Sequence, residues 1–241
     1  MSSIIQNAQR IGNFTSSEIY SLMITGKGLN GFGTKAITYI TKKNLERKLG
    51  RCISTDVATR PMLWGSFLEQ RVFNMLEYGY ELVSQQTDCH PTIECWSGSK
   101  DLIVQGEKIG DIKCYQPENF AEYSDVLMEK NVEKLKEFFP KEYWQLVSNA
   151  IINDVPRAEA IAYMPYQSEL DEIRKEADDY DGADYNKYTW IINADDAELP
   201  YLPDDGYYNN INRFEFEVPQ EDIKALTDRV LLAETMLIRI K

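Results

Sequence analysis

Residues 98–114 constrain the fold more than any other stretch of the chain, because they predict two strands joined by a tight turn. An apolar run over 102–104 indicates the first strand, and Ile109 and Ile112 indicate the second. Gly106 lies between them, where a turn needs a residue of low steric demand. The sequence therefore predicts a β-hairpin near the middle of the chain.

Three charged residues lie on this hairpin. Asp101 and Asp111 are on paired strands, so both can point to one end of the hairpin, and Lys113 shares a face with Asp111 because side chains alternate along a strand. Two carboxylates in an apolar setting are costly unless a cation compensates them. Hard oxygen ligands suit magnesium or manganese, and such a site is typical of phosphodiester hydrolysis. The alternative is a surface salt bridge across the hairpin.

Composition indicates a packed globular protein, since 43% of the 241 residues are hydrophobic and 12% are aromatic. No apolar run approaches about 18 residues, and the first residues lack the pattern of a signal peptide, so we expect no membrane association. The four cysteines form no C-x-x-C pair, which predicts neither a zinc site nor disulfides and favours a reducing cytoplasm: Cys52, Cys89, Cys95 and Cys114.

Charge is unevenly distributed along the chain. The formal net charge is -13, which by itself argues against a nucleic-acid partner. Residues 1–60, however, contain 9 Lys and Arg against 3 Asp and Glu, while residues 166–217 contain 4 against 15. Local potential rather than net charge steers a polyanion, so the basic N-terminal quarter leaves DNA binding open.

Periodicity and turn residues predict an α/β domain that spans residues 1–241, with an acidic, irregular insertion at about 166–212 and a C-terminal helix at about 220–240. The predicted helices begin near residue 15 and cover 34–49, 62–78, 120–138, 141–153, 168–180 and 220–240. The predicted strands cover 80–96, 100–105, 108–115, 158–163 and 213–218.

Three further blocks accompany the hairpin: RIGNFTSS from Arg10 to Ser17, LWGSFLE ending at Glu69, and YWQ ending at Gln145. Together with the hairpin, and in this order, they resemble the lambda-exonuclease (YqaJ-type) family of viral recombination nucleases within the PD-(D/E)xK superfamily. The resemblance covers about residues 10–165, and four blocks in the family's order are far more specific than one.

The sequence departs from the family pattern at three positions. Lys100 stands where the family usually has a proline, directly before the first aspartate of the hairpin. The second acidic residue is Asp111 rather than the commoner glutamate, and Val147 stands where a second glutamine is usual. The last departure leaves the role of Gln145 open.

The resemblance implies a restriction-endonuclease-like core, in which helices flank a mixed central β-sheet. It also implies that Mg²⁺ or Mn²⁺ is held by Glu69, Asp101, Asp111 and the carbonyl group of Ile112. The remaining catalytic residues would be Lys113 and Gln145, which would orient the attacking water.

The resemblance further implies that Arg10 and Ser17 bind the terminal 5′ phosphate of double-stranded DNA. The activity would be a 5′→3′ exonuclease that digests linear duplexes during phage-type recombination, in the cytoplasm of a bacterial host. A ring-shaped homotrimer and a single-strand annealing protein as partner are implied on the same basis.

Other functions remain open from the sequence. The chain could be an endonuclease of the same fold, or a CRISPR-associated adaptation nuclease, although it lacks a cysteine cluster for iron–sulfur binding. It could also be an inactive DNA- or protein-binding member whose acidic segment holds a partner. Individual residues have simpler interpretations: Glu69 as a solvated helix residue, Gln145 as a core hydrogen-bond partner, Arg10 as an exposed charge and Ser17 as a helix cap.

Overall fold

The computed structural model describes residues 8–53, 59–83, 86–182 and 184–239. Within them, eight strands form two sheets. In chain order the strands are β1 (Phe14–Thr15), β2 (Glu81–Leu82), β3 (Asp88–Cys89), β4 (Trp96–Gly98), β5 (Leu102–Val104), β6 (Lys108–Lys113), β7 (Arg157–Tyr163) and β8 (Ile211–Glu217).

The central sheet has the strand order β2-β5-β6-β7-β8 and is mixed, since only β6 and β7 run parallel. The smaller sheet has the order β1-β4-β3. The α-helices of the described chain are α1 (Tyr20–Met23), α2 (Thr34–Leu49), α3 (Arg60–Met75), α4 (Pro117–Met128), α5 (Val132–Phe138), α6 (Pro140–Ile152), α7 (Leu170–Asp178), α8 (Tyr185–Ile192) and α9 (Gln220–Glu234). The fold is therefore mixed α/β with flanking helices, as the sequence predicts.

Both faces of the central sheet are buried. Alternate residues of the hairpin enter different apolar cores: Ile103 and Ile109 lie in one, and Leu102 and Ile112 lie in the other. Helix α6 packs on the first face and helix α3 on the second. A parallel strand pair requires a crossover connection, and helices α4, α5 and α6 provide it between β6 and β7. None of the described helices is long and apolar enough to cross a membrane.

Two predicted elements are each divided in the structure. The strand predicted over 80–96 is wrong, because three short strands occupy 81–98 and Pro91 lies between β3 and β4, where it cannot donate a ladder hydrogen bond. The helix predicted over 120–138 is broken at Lys130, whose φ is 50°. The next residue, Asn131, starts helix α5 by accepting a hydrogen bond from the backbone N–H of Lys134 at 3.1 Å.

The acidic segment is more regular than its composition predicts. Helix α8 lies inside the stretch that was expected to be irregular, and its Tyr188 and Ile191 are buried in the core shared with helix α3. Most helical stability in proteins comes from such packing rather than from local propensity. The C-terminal helix ends at Glu234, and the following turn is held against α2, where Asn44 Nδ2 donates to the carbonyl of Met236 at 3.0 Å.

Candidate active site

Asp101 and Asp111 face each other across the β5–β6 hairpin. Leu102 pairs with Gly110, so the adjacent step along the ladder sets Asp101 opposite Asp111. The backbone N–H of Asp101 donates to the carbonyl of Gly110 at 3.2 Å, and the N–H of Ile112 donates to Asp101 Oδ2 at 2.7 Å. The two aspartates thus meet at one end of the hairpin, and the backbone fixes the orientation of the Asp101 carboxylate.

The carboxylate of Asp111 lies between an amide and an ammonium group. Gln145 Nε2 donates to Asp111 Oδ1 at 2.6 Å, and Lys113 Nζ lies 2.6 Å from Asp111 Oδ2. Both carboxylate oxygens of Asp111 therefore have a close nitrogen partner. Asp111 is 1% exposed, so the interpretation of this group as a surface salt bridge is wrong.

Burial and mutual repulsion set the protonation of this cluster. Burial raises the pKa of Asp101 well above its ordinary value, and the negative charges of Asp111 and Glu69 raise it further. Burial alone would lower the pKa of Lys113, but the charges of Asp111 and Asp101 outweigh it and the pKa is raised. Lys113 therefore stays protonated and can stabilise negative charge. For the same reason it is poorly suited to act as a general base.

Glu69 lies on helix α3, which packs on the face of the sheet opposite to helix α6 and Gln145. Its negative charge raises the pKa of Asp101. Glu69 also lines a groove of about 600 Å³ between α3 and the helices of the acidic segment.

The donor set fits a hard divalent cation. Among the described residues, no three His, Cys, Asp or Glu side chains form a preformed metal cage. Mg²⁺ does not require one, because it usually keeps several waters and uses only one or two carboxylates. Burial and the repulsion between carboxylates that raise the pKa of Asp101 are the arrangement that such a cation would relieve. That the carbonyl group of Ile112 also binds the metal remains a prediction.

A polar cavity of about 170 Å³ brings the N-terminal block to Asp101. Arg10, Ser17, Asp101 and Gln145 all line it, although they lie far apart in the sequence. The other lining residues are small or carry hydroxyl groups: Thr15, Ser16, Thr87, Ser97, Gly98 and Ser99. A cavity of this chemistry, with one guanidinium and many hydroxyl donors, suits a phosphate group.

Three of these cavity residues were not singled out from the sequence: Thr87, Ser97 and Ser99. Ser97 and Ser99 flank Gly98 just before Asp101, so their position beside the first aspartate was an available signal. No signal in the sequence marked Thr87, because its position at the cavity depends on the pairing of β3 with β4. Gly98 itself allows close packing, since a Cβ there would clash with the side chains of Ser16 and Asn149.

The simpler interpretations of the N-terminal block and of Gln145 fit the structure less well. Ser17 lies inside the 3₁₀ turn Ser16–Glu18, whose N-cap position is Thr15, so Ser17 does not cap it. Gln145 bonds a carboxylate of the cluster rather than a core backbone group. Val147, at the position where the family has a second glutamine, is fully buried in the apolar core.

The mixed sheet and its flanking helices form the restriction-endonuclease-like fold that solved exonuclease structures share, which confirms the predicted fold class. An alkaline exonuclease from Laribacter hongkongensis superposes with a TM-score of 0.64 at 15% identity, over 96% of this chain and 91% of the other. The same exonuclease in complex with dAMP gives 0.64 at 18% identity, with the same coverage.

A phage-related exonuclease from Haemophilus somnus 129PT superposes with a TM-score of 0.56 at 13% identity, over 93% of this chain and 92% of the other. No protein-family model matches the sequence. No curated protein matches it either. The similarity is thus carried by the three-dimensional structure.

Proposed function

We propose that this protein is a metal-dependent deoxyribonuclease, and specifically a 5′→3′ exonuclease that digests linear double-stranded DNA during phage-type recombination. The observation that carries this proposal is the shared cavity, in which Arg10 and Ser17 face the same space as Asp101 and Gln145. A terminal 5′ phosphate in that cavity would bring the next phosphodiester bond towards the two aspartates.

Each residue has a role that follows from its surroundings. Asp101 and Asp111, with Glu69 beside them, would hold Mg²⁺ or Mn²⁺. The bound ion would polarise the scissile phosphate and lower the pKa of a water molecule. Gln145 orients Asp111 through its 2.6 Å hydrogen bond, and Lys113 supplies a fixed positive charge for the phosphate oxygens.

Two independent features support the exonuclease assignment over other nucleases of this fold. The structural neighbours are called exonucleases, and one of them binds dAMP, a 5′ mononucleotide of the kind that 5′ digestion would release. The cavity is small and lined on several sides, which suits a terminal phosphate better than a continuous strand. A homotrimer, an annealing protein as partner and a cytoplasmic location are proposed on the family resemblance alone.

A digestion assay tests the proposal directly. Purified protein with Mg²⁺ should degrade linear duplex DNA and spare closed circular DNA, and Lys113→Ala should reduce the rate at least about 100-fold. If the wild-type protein shows no digestion, or cuts closed circles equally well, the exonuclease assignment fails.

The role of the cavity is tested by the chemistry of the DNA end. Wild-type protein should prefer 5′-phosphorylated over 5′-hydroxyl duplexes, and Arg10→Ala should lower that preference by about tenfold through the loss of charge-assisted hydrogen bonds. Arg157→Ala is a matched control, because Arg157 lies at the start of β7 and pairs with Glu107 and Glu215. Equal rates on both ends would contradict the assignment of Arg10 and Ser17.

A further inference from the structure

The outer face of helix α2 exposes two lysines and no carboxylate. Its exposed side chains are Thr34, Lys35, Thr38, Thr41, Leu45, Lys48 and Leu49. The single carboxylate of the helix, Glu46, is 1% exposed and bonds the backbone N–H of Gly12 at 3.1 Å and Lys43 Nζ at 3.0 Å. Hydroxyl and ammonium donors therefore dominate the polar surface of this face.

Further cations gather at the C-terminal end of α2. Arg47 Nε donates to the carbonyl of Gly12 at 2.9 Å, and its Nη1 donates to the carbonyl of Ile238 at 3.1 Å. These bonds draw the chain near Arg10 and the chain near Arg239 to the same end of the helix. We call the exposed cations found there, Lys48, Arg51 and Arg239, the basic corner.

The basic corner presents three exposed cations. None of its three side chains pairs with a carboxylate in the part of the chain that the structure describes. In the acidic segment, by contrast, cations form ion pairs. Arg174 pairs with Asp196 at 2.5 Å, and Lys187 pairs with Asp184 at 2.7 Å. In a chain of net charge -13, a polyanion is thus attracted to one side and repelled from another.

Helix α2 contacts the wall of the polar cavity that Arg10 and Ser17 line. The backbone N–H of Thr15 donates to Tyr39 Oη at 2.8 Å, and Lys42 Nζ lies 3.1 Å from Glu18 Oε1. Thr15 lines the cavity, and Glu18 follows the lining residue Ser17. Lys42 therefore offsets the negative charge of Glu18 beside the cavity wall.

We propose that the outer face of α2 and the basic corner bind the sugar–phosphate backbone of the duplex whose 5′ end enters the cavity. A helix of this length extends about 24 Å, which corresponds to about seven base pairs of duplex. Threonine and lysine at these positions reach phosphates rather than base edges, so the binding is independent of sequence. The inference rests on the proposed function, because it assumes that the substrate is duplex DNA.

The test compares two charge-reversed variants that change the net charge equally. Lys48→Glu/Arg239→Glu alters the basic corner, and Lys130→Glu/Lys175→Glu alters two exposed lysines elsewhere. Binding of a 5′-phosphorylated duplex longer than α2 is measured by fluorescence anisotropy, with Ca²⁺ in place of Mg²⁺ to prevent digestion. The basic-corner variant should bind about tenfold more weakly, and its slope of log K against log salt should fall by about 2. The control should match wild type in both.

Two further readouts keep the interpretation specific. The thermal unfolding of both variants should match wild type, and their affinity for thymidine 5′-monophosphate should be unchanged because the cavity is intact. If wild-type protein digests DNA while the basic-corner variant keeps wild-type affinity and salt slope, this inference is wrong and the proposed function stands. If wild-type protein binds duplex DNA through this face but does not cut it, the proposed function fails and the inference stands.

Discussion

The buried Lys100 forms an ion pair with the partly exposed Asp88, immediately beside the candidate metal ligand Asp101. The Lys100 side chain is 3% exposed and that of Asp88 is 23% exposed. Asp88 belongs to β3 and pairs with Gly98 of β4, so the ion pair ties the small sheet to the residue that precedes Asp101. Lys100 stands where the family that the sequence resembles usually has a proline.

Loss of Asp88 should therefore destabilise the protein markedly. Asp88→Ala leaves the ammonium group of Lys100 buried without a partner, which should lower the free energy of unfolding by about 3 kcal/mol. Urea-induced unfolding followed by tryptophan fluorescence measures the change.

The matched control for this substitution removes both charges. In Lys100→Met/Asp88→Ala no buried charge remains, so most of the lost stability should return. A double variant as unstable as Asp88→Ala would show that the ion pair is not the cause.

Gln145 should control the geometry of Asp111 and hence the metal affinity and the cleavage rate. Gln145→Leu has a similar volume but cannot donate to Asp111 Oδ1, so we expect the cleavage rate or the metal affinity to fall about 10- to 100-fold. The measurement is the initial rate across a Mg²⁺ titration. Gln70→Leu is the control on another helix, since the exposed Gln70 donates to Asn74 Oδ1 of its own helix at 3.0 Å. An unchanged Mg²⁺ dependence in Gln145→Leu would leave Gln145 with a purely structural role.

The raised pKa of Asp101 predicts how metal binding and stability depend on pH. Without metal, the folded protein retains a proton on Asp101 that the unfolded chain releases, so stability falls as the pH rises from the ordinary carboxyl range through the raised pKa. A divalent cation competes with that proton, so stabilisation by Mg²⁺ should grow from mildly acidic to mildly alkaline pH.

Thermal unfolding with and without Mg²⁺ at several pH values measures this effect. Asp101→Asn removes both the buried charge and a metal ligand, so it should unfold at a temperature that depends little on Mg²⁺ and should be less sensitive to alkaline pH. Mg²⁺ stabilisation that is equal in the variant and in wild type would place the metal elsewhere.

Local sequence predicted the parts of the site that depend on short-range geometry. The alternation of strands predicted that Asp111 and Lys113 share a face, and the hairpin predicted that Asp101 lies opposite. These relationships depend only on the two-residue period of a strand and on a short turn. The same local rules failed at residues 80–96, where the chain divides into β2, β3 and β4, and where β2 pairs with β5 and β4 pairs with β1.

The tertiary structure decided which residues surround the hairpin. Glu69 and Gln145 come from helices on opposite faces of the sheet, and no periodicity within either helix reveals the face on which it packs. Thr87 and the ordered helix α8 are likewise products of long-range contacts. The sequence by itself determined the hairpin with its two aspartates and lysine, because those positions follow from backbone geometry. Only the packed sheets and helices joined that hairpin to Arg10, Ser17 and Gln145 in one cavity, because burial of apolar surface acts between residues far apart in the chain.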